Sequence, residues 1–195
     1  MLTTAQKEKQ ARLDALYAPY RNCKMCPLGS LGRTQVVFGS GNPDATIMLI
    51  GEGPGEQEDK QGLPFVGKSG NLLTRTLDAV GINRPDIFIS NIVKCRPPSN
   101  RTPLPSEMRT CKDLFLIHQI EIIKPKILCT LGAAALQGLL ERPVKITKER
   151  GLTITVLDAQ LVPTVHPAYV LRNPPALDHL IADLMLVKKL AEEEI

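Results

Sequence analysis

The sequence lacks any apolar stretch long enough to cross a bilayer. Its longest uncharged run, Ile127 to Leu140, is broken by Thr130 and Gln137 and falls short of the roughly 20 residues a spanning helix needs. The opening residues, MLTTAQKEKQ, hold no apolar leader core. A cytoplasmic protein with no membrane association is therefore expected. Internal repeats and low-complexity linkers are also missing, and 195 residues suit one compact domain, so a single domain over residues 1–195 is expected. Charge of neither sign dominates: the formal net charge is +4, which suits a polyanionic partner without requiring one. With 43% hydrophobic and 23% charged residues, disordered and fibrous classes are excluded. A disulfide framework is excluded by compartment, because thiols stay reduced in the cytoplasm. The five cysteines need another role.

What is present first is a rhythm of short buried strands and helices. Thr46–Gly51, Asp86–Asn91, Lys126–Leu131 and Leu161–Val165 are apolar runs bounded by turn residues, as fully buried strands are. Between and around them, helical spacing covers Thr3–Tyr17, Gly70–Val80, Pro105–Ile123, Gly132–Leu140 and Pro175–Glu192. This alternation predicts a three-layer α/β/α sandwich on a four-stranded parallel central sheet. Ligands in such folds bind beyond the carboxyl ends of the strands, here after Ile50, Ile89, Leu131 and Val165. The stretch Val144 to Leu157, with Gly151 between two β-rich pieces, reads as a peripheral hairpin.

Cys23 and Cys26 form a C-x2-C pair, and Cys95 and Cys111 follow from distant loops. Two ligands from one tight turn plus two from elsewhere suit a tetrahedral thiolate site, either zinc or an iron-sulfur cluster. Pro27 after Cys26, and the lack of a second C-x2-C pair, favour the cluster without deciding it. Cys129 lies inside an apolar strand and reads as a core thiol.

Two glycine-rich loops invite a nucleotide reading and fail it. In Gly51-Glu-Gly-Pro-Gly-Glu56 the third dinucleotide-binding glycine is replaced by Glu56, and Pro54 supplies no N–H. Gly62-Leu-Pro-Phe-Val-Gly-Lys-Ser69 matches a P-loop in letters. An acidic segment nevertheless separates it from the strand it would have to follow, so no nucleotide cofactor is expected. Lys68 and Ser69 still open a helix, a place where a single backbone phosphate fits.

Taken together, GEGPGEQED (51–59), GLPFVGKSG (62–70), SNIVKCRPPSNRTP (90–103) and TVHPAYVLRNP (164–174) closely resemble the family-4 uracil-DNA glycosylases, and all four paired cysteines agree. The resemblance implies a monomeric DNA-repair hydrolase that flips uracil out of DNA, cuts its N-glycosidic bond and leaves an abasic site. It implies a 4Fe-4S cluster on Cys23, Cys26, Cys95 and Cys111. By the same resemblance Glu52, Gly53 and Pro54 form a pocket wall, Phe65 stacks on the base, Asn91 reads its edge and His166 sits beside uracil O2. Glu58 occupies the place that crowds the C5 position of the base. Glu52 and Glu58, with Asp59 nearby, are the candidate acids for orienting water. Lys68, Ser69, Arg101 and Arg172 are expected along the DNA, with Tyr169 and Leu171 as wedges into the minor groove.

These roles agree with the chemistry, since a base inside a duplex is reached only by flipping it into a pocket that stacks it and reads its Watson-Crick edge. Two departures stand out. Gly53 stands where other uracil glycosylases place an aspartate, and Ser99 stands where relatives commonly carry glycine. A covalent uracil-DNA binder of the same fold would need a histidine-bearing insertion, but Asn100-Arg-Thr-Pro103 runs on without one. The remaining competitor is a noncatalytic DNA-binding module that carries a cluster.

Overall fold

The four apolar runs become the centre of one sheet. The structure, a computed structural model, describes residues 3–193. Met1, Leu2, Glu194 and Ile195, which the single-domain expectation also spans, lie outside the described residues. The strands are β1 (Ser40–Gly41), β2 (Ile47–Gly51), β3 (Phe88–Asn91), β4 (Ile127–Leu131), β5 (Ile154–Val156) and β6 (Ala159–Thr164). They lie in the order β1-β3-β2-β4-β6-β5.

The expected four parallel strands are β3, β2, β4 and β6, with Leu49 of β2 beside both Ile89 and Cys129. To these the structure adds two short antiparallel strands, β1 at one edge and β5 at the other. Segments of two or three residues carry no readable periodicity, which is why the sequence showed only the centre.

The helices are α1 (Thr4–Tyr17), α2 (Glu56–Gln61), α3 (Lys68–Ala79), α4 (Pro105–Cys111), α5 (Ile117–Ile123), α6 (Ala133–Leu140), α7 (Ile146–Glu149), α8 (Pro167–Arg172) and α9 (Leu177–Glu193). Every residue of β2, β3 and β4 is buried, as a sheet covered on both faces requires. Met48 and Ile50 pack with residues of α1, α4, α5 and α6, whereas Ile47 and Leu49 pack with residues of α3, α8 and α9. The period of two thus divides one strand between two cores.

Thr3 caps α1, accepting from the Gln6 N–H at 3.2 Å while its own N–H donates to Gln6 Oε1 at 2.9 Å. Pro105 opens α4 as expected, but the helix predicted to run on to Ile123 is interrupted by a π turn over Lys112–Leu116. The predicted hairpin is corrected as well. Residues 146–149 form α7, and the hairpin joins β5 to β6 through Leu157 and Asp158, whose φ angles are +51° and +62°. Neither residue is the Gly or Asn that usually announces such a turn.

Candidate active site

The parallel ladder continues past the strand ends: Ile92 N–H donates to Gly51 O at 2.9 Å and Val93 N–H to Glu52 O at 3.1 Å. These bonds fix the loop after β2 against the loop after β3. A cavity of about 630 Å³ opens there, lined by Glu52, Gly53, Pro54, Glu58, Phe65, Asn91 and His166, with Lys68, Ser69, Arg101 and Arg172 around it. Of the residues singled out for base and DNA, Tyr169 and Leu171 are not in its lining. They stand on α8, 43% and 48% exposed.

Phe65 is buried in a left-handed conformation, with φ of +52°, which costs a bulky residue energy unless neighbours hold it. They do. Arg84 donates to the carbonyls of Pro64 and Phe65 at 2.8 and 2.9 Å and to Thr74 Oγ1 at 2.6 Å. From the other side Glu58 accepts from the N–H groups of Val66 and Gly67 at 2.9 and 2.8 Å, and from Gly55 at 3.2 Å. The ring crosses the end of β2, where only glycine fits: a Cβ on Gly51 would stand 2.7 Å from it and 2.3 Å from Asn91 Oδ1. Sequence reasoning missed Arg84, a single cation with no motif around it.

Asn91 ends β3 and is 2% exposed. Its Oδ1 has no hydrogen-bond partner among the described residues. Such an acceptor left empty costs about 1–3 kcal/mol until a ligand donor fills it.

His166 caps α8, its Nδ1 accepting from the Ala168 N–H at 3.0 Å. A ring nitrogen that accepts carries no proton, so Nε2 must hold it. Burial pushes the imidazole down to about 4, and Arg172 adds to this against the weaker pull of Glu58. The ring is neutral at pH 7, 5.8 Å from Phe65 between centroids and tilted 34° to it.

The acids divide. Asp59, 3% exposed, accepts from Thr34 and Gln35 main-chain N–H groups and so fastens α2 to the chain before β1. Glu58 is committed to three N–H groups. In Glu52 burial raises the carboxyl above its ordinary value, partly offset by a hydrogen bond from Thr102. Gly53 approaches Val93 so closely that a Cβ would stand 2.7 Å from its Cγ2, which explains why an aspartate is not accommodated there without a shift of Val93.

Residues 97–103 supply one side of the cavity. Arg101 faces Glu107 in a two-pronged pair at 2.9 and 2.8 Å, and Glu107 also accepts from Leu104 N–H at 2.7 Å. Arg101 is thus tied inward. Ser99 has φ of +54°, the conformation that makes glycine the easier residue at this turn.

Cys23 and Cys26 sit in a turn closed by Cys23 N–H to Tyr20 O at 3.0 Å and Gly29 N–H to Cys26 O at 3.1 Å. Cys95 follows β3, and Cys111 ends α4 at the π turn. Burial pushes the Cys95 and Cys111 thiols up to about 12; Arg33 opposes this at Cys95 and Lys94 at Cys111, while Cys23 and Cys26 add to it at both. All four therefore share one electrostatic neighbourhood, on the face of the sheet away from Cys129.

The chain is similar over most of its length to known uracil-DNA glycosylases. A family model described as the uracil DNA glycosylase superfamily matches residues 38–185. A type-4 uracil-DNA glycosylase of Thermotoga maritima is 52% identical over 155 residues, which cover 78% of this chain and 80% of that protein. One of Pyrobaculum aerophilum is 40% identical over 89% of this chain and 92% of its own. A type-5 uracil-DNA glycosylase of Thermus thermophilus is 28% identical over 60% of this chain and 67% of its own. The chain belongs to the uracil-DNA glycosylase superfamily and, within it, to the type-4 enzymes.

Proposed function

We infer that the protein is a DNA-repair hydrolase that removes uracil from DNA. The observation that carries this reading is the orphaned, buried Oδ1 of Asn91, a residue that lines the same cavity as Phe65 and His166. Uracil presents a donor at N3–H for that oxygen and an acceptor at O4 for the amide NH2. Phe65 stacks on the flipped base, and His166 Nε2–H donates to O2. When the bond between sugar C1′ and N1 breaks, its electron pair goes to the uracil and charge builds on O2. A preplaced donor there lowers the barrier by roughly 3–4 kcal/mol, the magnitude found for comparable oxyanion donors. Water then attacks C1′ and the sugar is left abasic.

Glu52 is the acid best suited to orient that water, because the Glu58 oxygens already serve the Phe65 loop. Glu58 limits space at uracil C5 and braces the stacking ring. Lys68, Ser69 and Arg172 meet backbone phosphates at the cavity mouth, Arg101 shapes the wall through Glu107, and exposed Tyr169 and Leu171 reach the minor groove. A nucleotide triphosphate is disfavoured, since the Val66 and Gly67 N–H groups that a P-loop offers to phosphate are held by Glu58. No helix of the described residues is long and apolar enough to cross a membrane. The continuous sheet supports a single domain, and the enzyme works as a cytoplasmic monomer.

Cys23, Cys26, Cys95 and Cys111 would hold a 4Fe-4S cluster. Among the described residues no three ligand side chains stand close enough to share one ion, yet the four thiols feel one another's field. Four thiols, two of them from one tight turn, are the donor set such a cluster takes. When bound, the cluster would supply a rigid tie among the residue 23–26 turn, the Cys95 loop and α4, the last two of which flank residues 97–103 of the cavity wall.

Multiple-turnover release of free uracil from a labelled uracil-containing oligonucleotide tests the activity, with intact-protein mass recorded alongside. Turnover with unmodified protein is expected. A covalent DNA adduct without free uracil, or binding without release, would overturn the reading.

A further inference from the structure

Lys94 is completely buried and is among the largest fully buried side chains of the described residues. Its ammonium donates to Ser90 Oγ at 2.6 Å, Asn91 O at 2.7 Å and Gln119 Oε1 at 2.9 Å. All three acceptors are neutral, and no carboxylate pairs with it among the described residues. A cation taken out of water without a counter-charge is costly, so a structure that keeps one implies an anion nearby. The main chain of the same residue points to where: Lys94 N–H donates to Cys111 Sγ at 3.2 Å.

A second cation shows the same deficit. Arg33 donates through one terminal nitrogen to Cys23 O at 2.7 Å, but its buried Nε has no acceptor among the described residues. Its field reaches Cys95. Two cations with unmet needs, Lys94 fully buried and Arg33 partly so, therefore flank the four cysteines. Four thiolates around a cubane carry net negative charge, which increases on reduction.

We propose that Arg33 and Lys94 are the counter-cations of the cluster, and that Lys94 also ties the cluster to uracil reading by holding the main chain of Asn91. This rests on the cluster reading above. Arg33 Nε donates to a sulfur of the site, and Lys94 neutralises the site from the buried side. Lys94 is a positioning residue: it is fully buried and outside the cavity lining, yet its ammonium grips the carbonyl of the residue whose amide reads the base. Iron loss then removes the charge that stabilises this grip.

The test uses anaerobically purified full-length protein as wild type, Arg33→Gln, Arg33→Lys and Lys94→Met. The cluster midpoint potential is measured by voltammetry, iron release by challenge with a chelator, and excision at matched iron loading. Arg33→Gln and Lys94→Met should both shift the potential negative, because reduction adds a charge no longer offset. Both should lose iron several-fold faster, and Arg33→Lys should recover part of the shift. Lys94→Met should also raise KM for a uracil oligonucleotide at equal iron content. Should Lys94→Met fail to fold, the Arg33 pair still decides, since its side chain is only partly buried. An iron-loaded wild type whose potential and iron release match those of Arg33→Gln overturns this inference alone. A wild type without iron overturns the cluster reading and this inference with it.

Discussion

Arg84 grips the main chain of Phe65 from below, donating to its carbonyl at 2.9 Å and to that of Pro64 at 2.8 Å. The left-handed turn that lays the ring across β2 depends on this fork. Arg84→Ala should lower kcat/KM on uracil by roughly 10- to 100-fold, the range a misplaced contact group produces. Arg84→Lys should restore only part, because a single ammonium can replace the Nη2 bonds to the two carbonyls but not the Nη1 bond to Thr74 Oγ1 as well. Single-turnover excision, with circular dichroism to confirm folding, is the check; an unaffected Arg84→Ala enzyme would remove Arg84 from the account.

The neutral His166 sets a pH signature. Its folded value near 4 lies below the unfolded value of about 6.5, so the unfolded chain binds the extra proton between these limits. Stability contributed by this group is therefore fully present above about pH 6.5 and is lost as pH falls toward 4. The single-turnover rate should show no imidazole inflection between about pH 6 and 8. An inflection near 6.5 that vanishes in His166→Ala would show that the ring works as a cation.

Glu58 serves three main-chain N–H groups, and each left unpaired costs about 1–3 kcal/mol if water cannot reach it. Glu58→Ala should slow uracil excision and, by opening space at C5, raise the relative rate on thymine. Equal rates on both bases in variant and wild type would leave Glu58 with neither task.

The cysteines separate by face. Cys95→Ala should reduce iron content, whereas Cys129→Ala, across the sheet, should keep it and cost about 1 kcal/mol of stability. Iron assay and thermal melting distinguish the two. A loss of iron in Cys129→Ala would contradict the assigned ligand set.

The sequence displays the sheet centre because four apolar runs between turn residues leave little choice of layer. It also places Asn91 and His166 at strand ends, where α/β proteins put their chemistry. Arg84 and Lys94 stay hidden because each acts through contacts distant in sequence or buried in three dimensions, with no spacing rule to announce them. Glu58 was visible as a pocket residue, but its grip on Val66 and Gly67 depends on α2 folding back over the loop. The residue 144–157 stretch misleads because Gly151, taken as the turn, lies beyond α7, while the real turn uses Leu157 and Asp158.

In the proposed function Asn91 reads the uracil edge, accepting from N3–H and donating to O4. Cytosine presents the opposite pattern, a donor at N4 and an acceptor at N3. The most direct measurement is single-turnover excision by Asn91→Asp on single-stranded oligonucleotides carrying uracil or cytosine, with the fold confirmed by circular dichroism. A carboxylate accepts from N4–H and cannot donate to O4, so activity on uracil should fall strongly and cytosine should gain relative to it. An unchanged uracil-to-cytosine preference in the folded variant would contradict the account.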